Sequence, residues 1–285
     1  MVEAQSRYSS QVTLPAAWTR STAGGSSDSP HYLINPQFTL SVKREQNVAF
    51  LLQLPPTVDE EDRVRDIHVK MLVSRNDGNR ITKLRMRDTV AHSGDYQRLS
   101  AVIETKLSKG EYAVICSTFD QNQYAKFTLD VLTSEQGTTT IRPLPAESSG
   151  RYKVDSSLAH FPNGTNRLLA PITLSQVTRA IFIAHQARAS PASSLFKMTL
   201  EKGQGPYKTV IAASANDLGE FAAVQSGLRI GDTNLHPSLH GPGTGGLWLV
   251  LERLASDQNT PDEQLVIEML VDERFDLGPS GLGSG

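Results

Sequence analysis

One cysteine in 285 residues, Cys116, has no partner for an internal disulfide and cannot build a cysteine-rich metal centre. That economy fits a reducing compartment and leads us to expect a cytoplasmic protein. Charge of one sign is also lacking. Lys and Arg total 28 against 30 Asp and Glu, so no global field draws the chain to nucleic acid, and any electrostatic partner must be read by a local patch. No apolar run reaches the ~18 residues of a membrane-spanning helix. The segment Met1 to Arg7 has no apolar core of the kind a secretory signal needs. Apolar stripes at helical spacing do not persist for three turns anywhere, so helix content is expected to be low.

What the chain does have is strands. Runs rich in β-branched and aromatic residues recur between clusters of Gly, Pro, Asn, Asp and Ser. In the first half they are 32–34, 37–42, 48–54, 66–74, 80–87, 99–106, 111–117 and 124–132. Within the last, Phe127, Leu129 and Val131 alternate with Lys126, Thr128 and Asp130, the period of two that a half-buried strand requires. Asn76-Asp-Gly-Asn79 predicts a tight hairpin between 66–74 and 80–87. The second half offers 151–156, 167–174, 179–185, 195–201, 207–212, 247–254 and 264–271.

The length suits two sandwiches better than one. Residues 1–10 are read as disordered or linker, 11–135 as the first domain, 136–149 as a proline-bearing linker with room for one short strand, 150–277 as the second domain, and 278–285 as a flexible Gly/Ser tail. Both halves close alike. Gly110-Glu-Tyr-Ala-Val-Ile followed by Phe127-Thr-Leu-Asp-Val is echoed by Gly246-Leu-Trp-Leu-Val-Leu followed by Leu265-Val-Ile-Glu-Met, which is read as a final hairpin shared by two copies of one architecture. The fold class expected is all-β, in two tandem antiparallel sandwiches.

Two stretches carry a resemblance. Trp18-Thr-Arg-Ser-Thr-Ala-Gly24-Gly25 with Asn35-Pro36-Gln37-Phe38, and Gly110-Glu-Tyr112 with Cys116-Ser117-Thr118-Phe119 and Phe127-Thr-Leu, resemble the C2-like domain that follows the protease core in calpains. Cys116 stands where those proteins often carry proline, and Ser26 where cysteine is frequent. A second, diverged sandwich follows in place of an EF-hand pattern. That arrangement is similar to atypical calpains with tandem C2-like domains, including the fungal PalB-type proteases. The resemblance implies a non-catalytic regulatory module that scaffolds its own protease core and docks a protein partner. It further implies a parent cysteine endopeptidase of the cytosol, recruited to endosomal sorting components at the endosomal membrane, where it processes a pH-responsive transcription factor.

No catalytic residues are expected in this chain. Cys116 lies in step with Tyr112 and Val114 on one strand face, as a buried structural thiol would. Gly241-Pro-Gly-Thr-Gly-Gly246 has the letters of a dinucleotide fingerprint but precedes a strand, not a helix. His236 and His240 sit in a loop without further ligands, so no metal is expected there. The run Asp59-Glu-Glu-Asp62 is weighed as a calcium site, as a solvated loop, or as a contact with a basic surface of the protease core. Arg63 and Arg65 interrupt it, and calcium wants six to eight converging oxygens, so no cofactor is expected. The remaining surface of interest is basic. Lys83, Arg85 and Arg87 alternate with Leu84 and Met86, with Lys70 on the neighbouring strand and Arg75 and Arg80 at the turn. Such a face attracts an acidic protein surface or acidic phospholipid; the plain alternative is a solvated face.

Overall fold

A computed structural model describes residues 7–55, 66–187, 194–214, 220–224, 227–241, 243–254, 262–272 and 283–284. The chain divides into two compact units, Met1–Ser149 and Gly150–Gly285. No α-helix occurs among the described residues; the elements are strands and single 3-10 turns.

The first unit holds β1 (Ser10–Trp18), β2 (Gln37–Val42), β3 (Gln46–Gln53), β4 (His68–Arg75), β5 (Thr89–His92), β6 (Gln97–Arg98), β7 (Ser100–Leu107), β8 (Gly110–Thr118), β9 (Ala125–Thr133) and β10 (Thr139–Pro143). One sheet runs β1-β9-β3-β7 and the other β10-β2-β8-β4-β5, with β6 also on β4. Phe127, Leu129 and Val131 of β9 face a core shared with Trp18, Phe38, Phe50 and Met71. Burying each such large apolar side chain contributes about 1.5–3 kcal/mol, and two inner faces packed this way make a sandwich.

The second unit holds β11 (Tyr152–Phe161), β12 (Arg167–Ile172), β13 (Thr178–Gln186), β14 (Leu195–Lys202), β15 (Thr209–Ala213), β16 (Ala222–Ala223), β17 (Leu228–Leu235), β18 (Leu247–Leu254), β19 (Glu263–Val271) and β20 (Gly283–Ser284). Its sheets run β11-β19-β13-β17 and β15-β14-β18-β12-β20, with β16 on β14. Adding ten to every strand number of the first unit reproduces each neighbour relation of the second. The two halves are copies of one topology.

Several sequence expectations are corrected here. The shared closing element is not a hairpin: β8 pairs with β2 and β4, while β9 pairs with β1 and β3 in the opposite sheet. The chain crosses the sandwich between them, and β18 to β19 does the same. The short strand expected within 136–149 is present as β10, and it lies antiparallel on β2 as an edge strand of the first domain. Tyr32–Ile34 form a 3-10 turn instead of a strand. At the other end of the chain, Gly283–Ser284 pair with Leu168 and Leu169 of β12.

The copies diverge at one end of the core. Trp18 closes β1 opposite Ala125, and Phe161 closes β11 opposite Glu263. One residue beyond the Gln37–Ile115 pair lies Cys116, and one beyond the Arg167–Glu252 pair lies Arg253. The second domain thus sets a buried cation and its counter-ion where the first has a thiol and an alanine. Arg253 is 3% exposed, with Nη1 3.2 Å from Glu263 Oε2. Its guanidinium carbon lies 5.4 Å from the Phe161 ring centroid, and Nη2 donates to the carbonyls of Pro162 (3.0 Å) and Thr165 (2.9 Å).

Candidate functional site

Tyr112 to Thr118 of β8 are all buried, on both faces of the strand. The inner positions Tyr112, Val114 and Cys116 belong to the core. The outer ones need a cover, since an antiparallel sheet normally leaves one face to water. Tyr32, Leu33 and Ile81 roof Ala113 and Ile115, with Leu72 and Leu84 packed against them.

The resemblance motifs build this roof. Asn35 Nδ2 donates to the carbonyls of Gly25 and Tyr32, each at 2.8 Å, and its Oδ1 accepts the Gly24 N–H at 3.3 Å. Gln37 Nε2 donates to Leu33 O and Ile81 O, both at 3.0 Å, while its Oε1 accepts the Ile81 N–H at 2.8 Å. One buried amide therefore ties both roofing segments to β2. Pro36, ahead of the strand, loses no ladder donor, and its carbonyl accepts the Cys116 N–H at 3.0 Å. Gly24 has no room for a side chain: a Cβ there would lie 2.1 Å from His31 O. Gly25 has φ +77°, the left-handed region.

The other motif residues are structural as well. Trp18 Nε1 donates to Cys116 O (2.9 Å), and its ring lies 4.2 Å from that of Phe127. Tyr112 Oη donates to Ser108 O at 2.8 Å, the local closure of a tyrosine corner. Thr118 Oγ1 donates to Asp120 O at 2.8 Å. Cys116 is fully buried, and burial pushes its thiol pKa well above the ordinary value, so it remains a neutral thiol. It has neither the exposure nor the charge of a nucleophile.

The basic residues do not form the stripe that their spacing suggests. Residues 80–85 are irregular, Met86–Asp88 form a 3-10 turn, and the strand paired with β4 is β5. The alternation at 80–87 misleads because Ile81 and Leu84, three apart, both turn into the roof. Arg80 is a clamp: Nη2 donates to Leu33 O and Asn35 O, both at 2.7 Å, and Nη1 to Pro145 O at 3.0 Å. Lys83 and Arg85 are half-buried beside Leu84. Arg75, at the end of β4, is exposed, and so is Arg87, whose Nε lies 4.0 Å from Asp88 Oδ1. Met86, between Arg85 and Arg87, is 83% exposed. Replacing Arg80 with methionine is expected to destabilise the first domain by about 2–3 kcal/mol through lost charge-assisted hydrogen bonds. Arg87→Met should stay within about 0.5 kcal/mol. Urea unfolding followed by Trp18 fluorescence compares the two.

Lys70 sits on the outer face of β4 with Nζ 5.5 Å from the Tyr96 ring centroid. Tyr96 also shares a 3.0 Å hydrogen bond with Ser117 Oγ and packs edge-on against half-exposed Phe119, ring centroids 5.3 Å apart. Sequence reasoning missed Tyr96, because nothing in its loop shows that β6 and β8 both lie beside β4. Asp59–Asp62 fall outside the described residues. His236 and His240 take separate partners, Ser238 and the Leu174 backbone. Gly243–Gly246 lead into β18 with no helix. No helix among the described residues is long and apolar enough to cross a membrane.

A roofed antiparallel sandwich with a neutral, buried thiol, followed by a second copy of its topology, defines a tandem of C2-like structural domains. Residues 14–132 match the family model for the calpain large subunit, domain III, and residues 147–284 match that for the calpain-like protease palB-like, C-terminal domain. The chain belongs to the calpain-like protease family in its PalB form, and these two domains are non-catalytic regions of such proteases. It is 36% identical to the calpain-like protease palB/RIM13 of Aspergillus oryzae over 98% of this chain and 32% of that protein. To the calpain-like protease palB of Emericella nidulans it is 35% identical, over 96% of this chain and again 32% of the relative. Identity to palB/cpr-8 of Neurospora crassa is 27%, over 77% of this chain and 26% of that protein. The chain thus spans about a third of the length of the first two.

Proposed function

We propose that this tandem is a regulatory and interaction module of a cytoplasmic PalB-type cysteine endopeptidase. It scaffolds the protease core and docks a protein partner in pH-response signalling at endosomal sorting complexes. The observation that carries this reading is the roofed face of the first domain. Its loop exposes Met86 beside Arg87, with Arg75 exposed at the end of β4, an apolar and basic combination suited to an acidic protein surface. A rigid roof pinned by Asn35, Gln37 and Arg80 presents that loop with little ordering cost on binding.

The rival occupant of this surface is an acidic phospholipid bilayer. A flat strip of cations would favour it, but Arg80 is committed to carbonyls and Lys70 lies over Tyr96. Co-sedimentation with phosphatidylserine vesicles, with and without calcium, separates the readings. The expected result is no pelleting under either condition. Salt-sensitive pelleting that vanishes in a Lys83→Ala/Arg85→Ala/Arg87→Ala variant would replace the protein partner with lipid.

A further inference from the structure

The connection from β4 to β5 and the connection from β14 to β15 are the same link in the two copies, and both end in a 3-10 turn ahead of an edge strand. In the first domain the turn is Met86–Asp88, and in the second it is Gly205–Tyr207. Each holds out one large side chain, Met86 at 83% exposure and Tyr207 at 94%, followed at once by a cation, Arg87 or Lys208. The edge strand beyond then exposes a valine, Val90 or Val210.

This likeness is informative because the sheet beside it differs. Gln37, Ile115 and Leu72 form a cross-strand row on β2, β8 and β4 that lies under the roof. The matching row on β12, β18 and β14 is Arg167, Glu252 and Lys197, all charged. Packing against the sheet is therefore not what the two corners share, and neither Met86 nor Tyr207 is packed.

The Tyr207 turn is held on both sides. Gly203 N–H donates to Gly246 O at 2.8 Å, and the two loops touch so closely that a Cβ on Gly245 would lie 2.8 Å from Gly203 Cα. Past the tyrosine, Lys208 Nζ donates at 2.8 Å to Glu201 Oε1, in a carboxylate 2% exposed that also accepts from Thr199 and Arg167. A tyrosine held out between two fixed points loses little freedom on entering a pocket, the property of a binding anchor. Beside it, β15 ends its sheet as β5 does in the first domain, so its outer backbone N–H and C=O groups suit a strand of polypeptide.

We propose that Tyr207 is a second anchor between this tandem and the remainder of its protease. Its ring enters an apolar pocket there, and a strand beside the pocket pairs with β15. The occupant follows from the first corner, since the Met86 loop is the contact in the scaffolding reading above, and this inference rests on that reading. The chain spans about a third of the length of its PalB-type relatives, so most of such a protease lies outside these two domains.

Hydroxyl-radical footprinting reads both corners at once, because methionine and tyrosine side chains both react. It compares this chain alone with a full-length calpain-like protease that carries it, each at two concentrations about tenfold apart. Tyr207 should react at least fivefold more slowly in the protease, equally at both concentrations, with Val210 slowed too. Tyr207→Ser should return Val210 to its rate in the isolated chain and leave the melting of the isolated chain unchanged. Slowing at Met86 but not at Tyr207, or a Val210 rate that ignores Tyr207→Ser, would overturn the second anchor and leave the first standing. No slowing at either corner would overturn both, whereas slowing at Tyr207 alone would keep this anchor and remove the Met86 contact. Slowing at Tyr207 only at the higher concentration would give the corner to a second molecule and overturn the assignment.

Discussion

Gly24→Ala is expected to lower the unfolding temperature of the first domain by roughly 10 °C and to leave the second domain unchanged. The added methyl would meet the His31 carbonyl oxygen at 2.1 Å and its carbon at 2.9 Å, both backbone atoms inside the roof. Neither can move unless Asn35 gives up its bonds to Gly25 and Tyr32, so the cost exceeds ordinary overpacking and is about 3 kcal/mol or more. Gly137→Ala is the control. Its φ of +73° carries strain, but nothing lies within 4 Å, so only about 1 kcal/mol is lost. Each domain contains one tryptophan, Trp18 and Trp248, so fluorescence of single-tryptophan variants reports each transition separately. Equal melting of the Gly24 and Gly137 variants would mean that the roof is not built as described.

Removing the counter-ion of Arg253 should be the largest single loss in the second domain. Glu263→Leu leaves a guanidinium that is 3% exposed without its carboxylate, and the expected cost is about 3–5 kcal/mol. The double variant Arg253→Met/Glu263→Leu restores an apolar pair next to Phe161, as the first domain has Cys116 and Ala125 next to Trp18. It should recover most of that loss, although the carbonyls of Pro162 and Thr165 lose their donor. Denaturant midpoints followed through Trp248 measure both variants. If the double variant is less stable than Glu263→Leu alone, the ion pair is holding the 162–166 loop more than it is satisfying charge.

Strand content was legible because half-buried strands print their period directly, as Phe127, Leu129 and Val131 do. The roof motifs were legible only through the resemblance, which picked out Gly24, Asn35 and Gln37; that Gln37 reaches Ile81, 44 residues along the chain, was not. Pairing partners were not. Gly110–Thr118 and Ala125–Thr133 look like a hairpin in sequence, yet each is paired on both sides by strands from elsewhere, and a short connection between them crosses the sandwich. The segment 80–87 shows the other failure. An alternation of three cations with Leu84 and Met86 matches a strand, but only tertiary packing reveals that Ile81 and Leu84 share a roof with Tyr32 and that Arg80 is spent on three carbonyls. That Thr139–Pro143 belongs to the first sheet was not legible either, because the segment reads as a linker and only its pairing with β2 places it.

Amide hydrogen exchange, compared between this chain alone and a full-length calpain-like protease that carries it, probes the scaffolding of the protease core by this face most directly. Within the whole protease, residues 80–92 should exchange at least tenfold more slowly than in the isolated tandem, and Arg75→Glu/Arg87→Glu should abolish that slowing. Identical rates in both settings would show that nothing in the protease rests on this face.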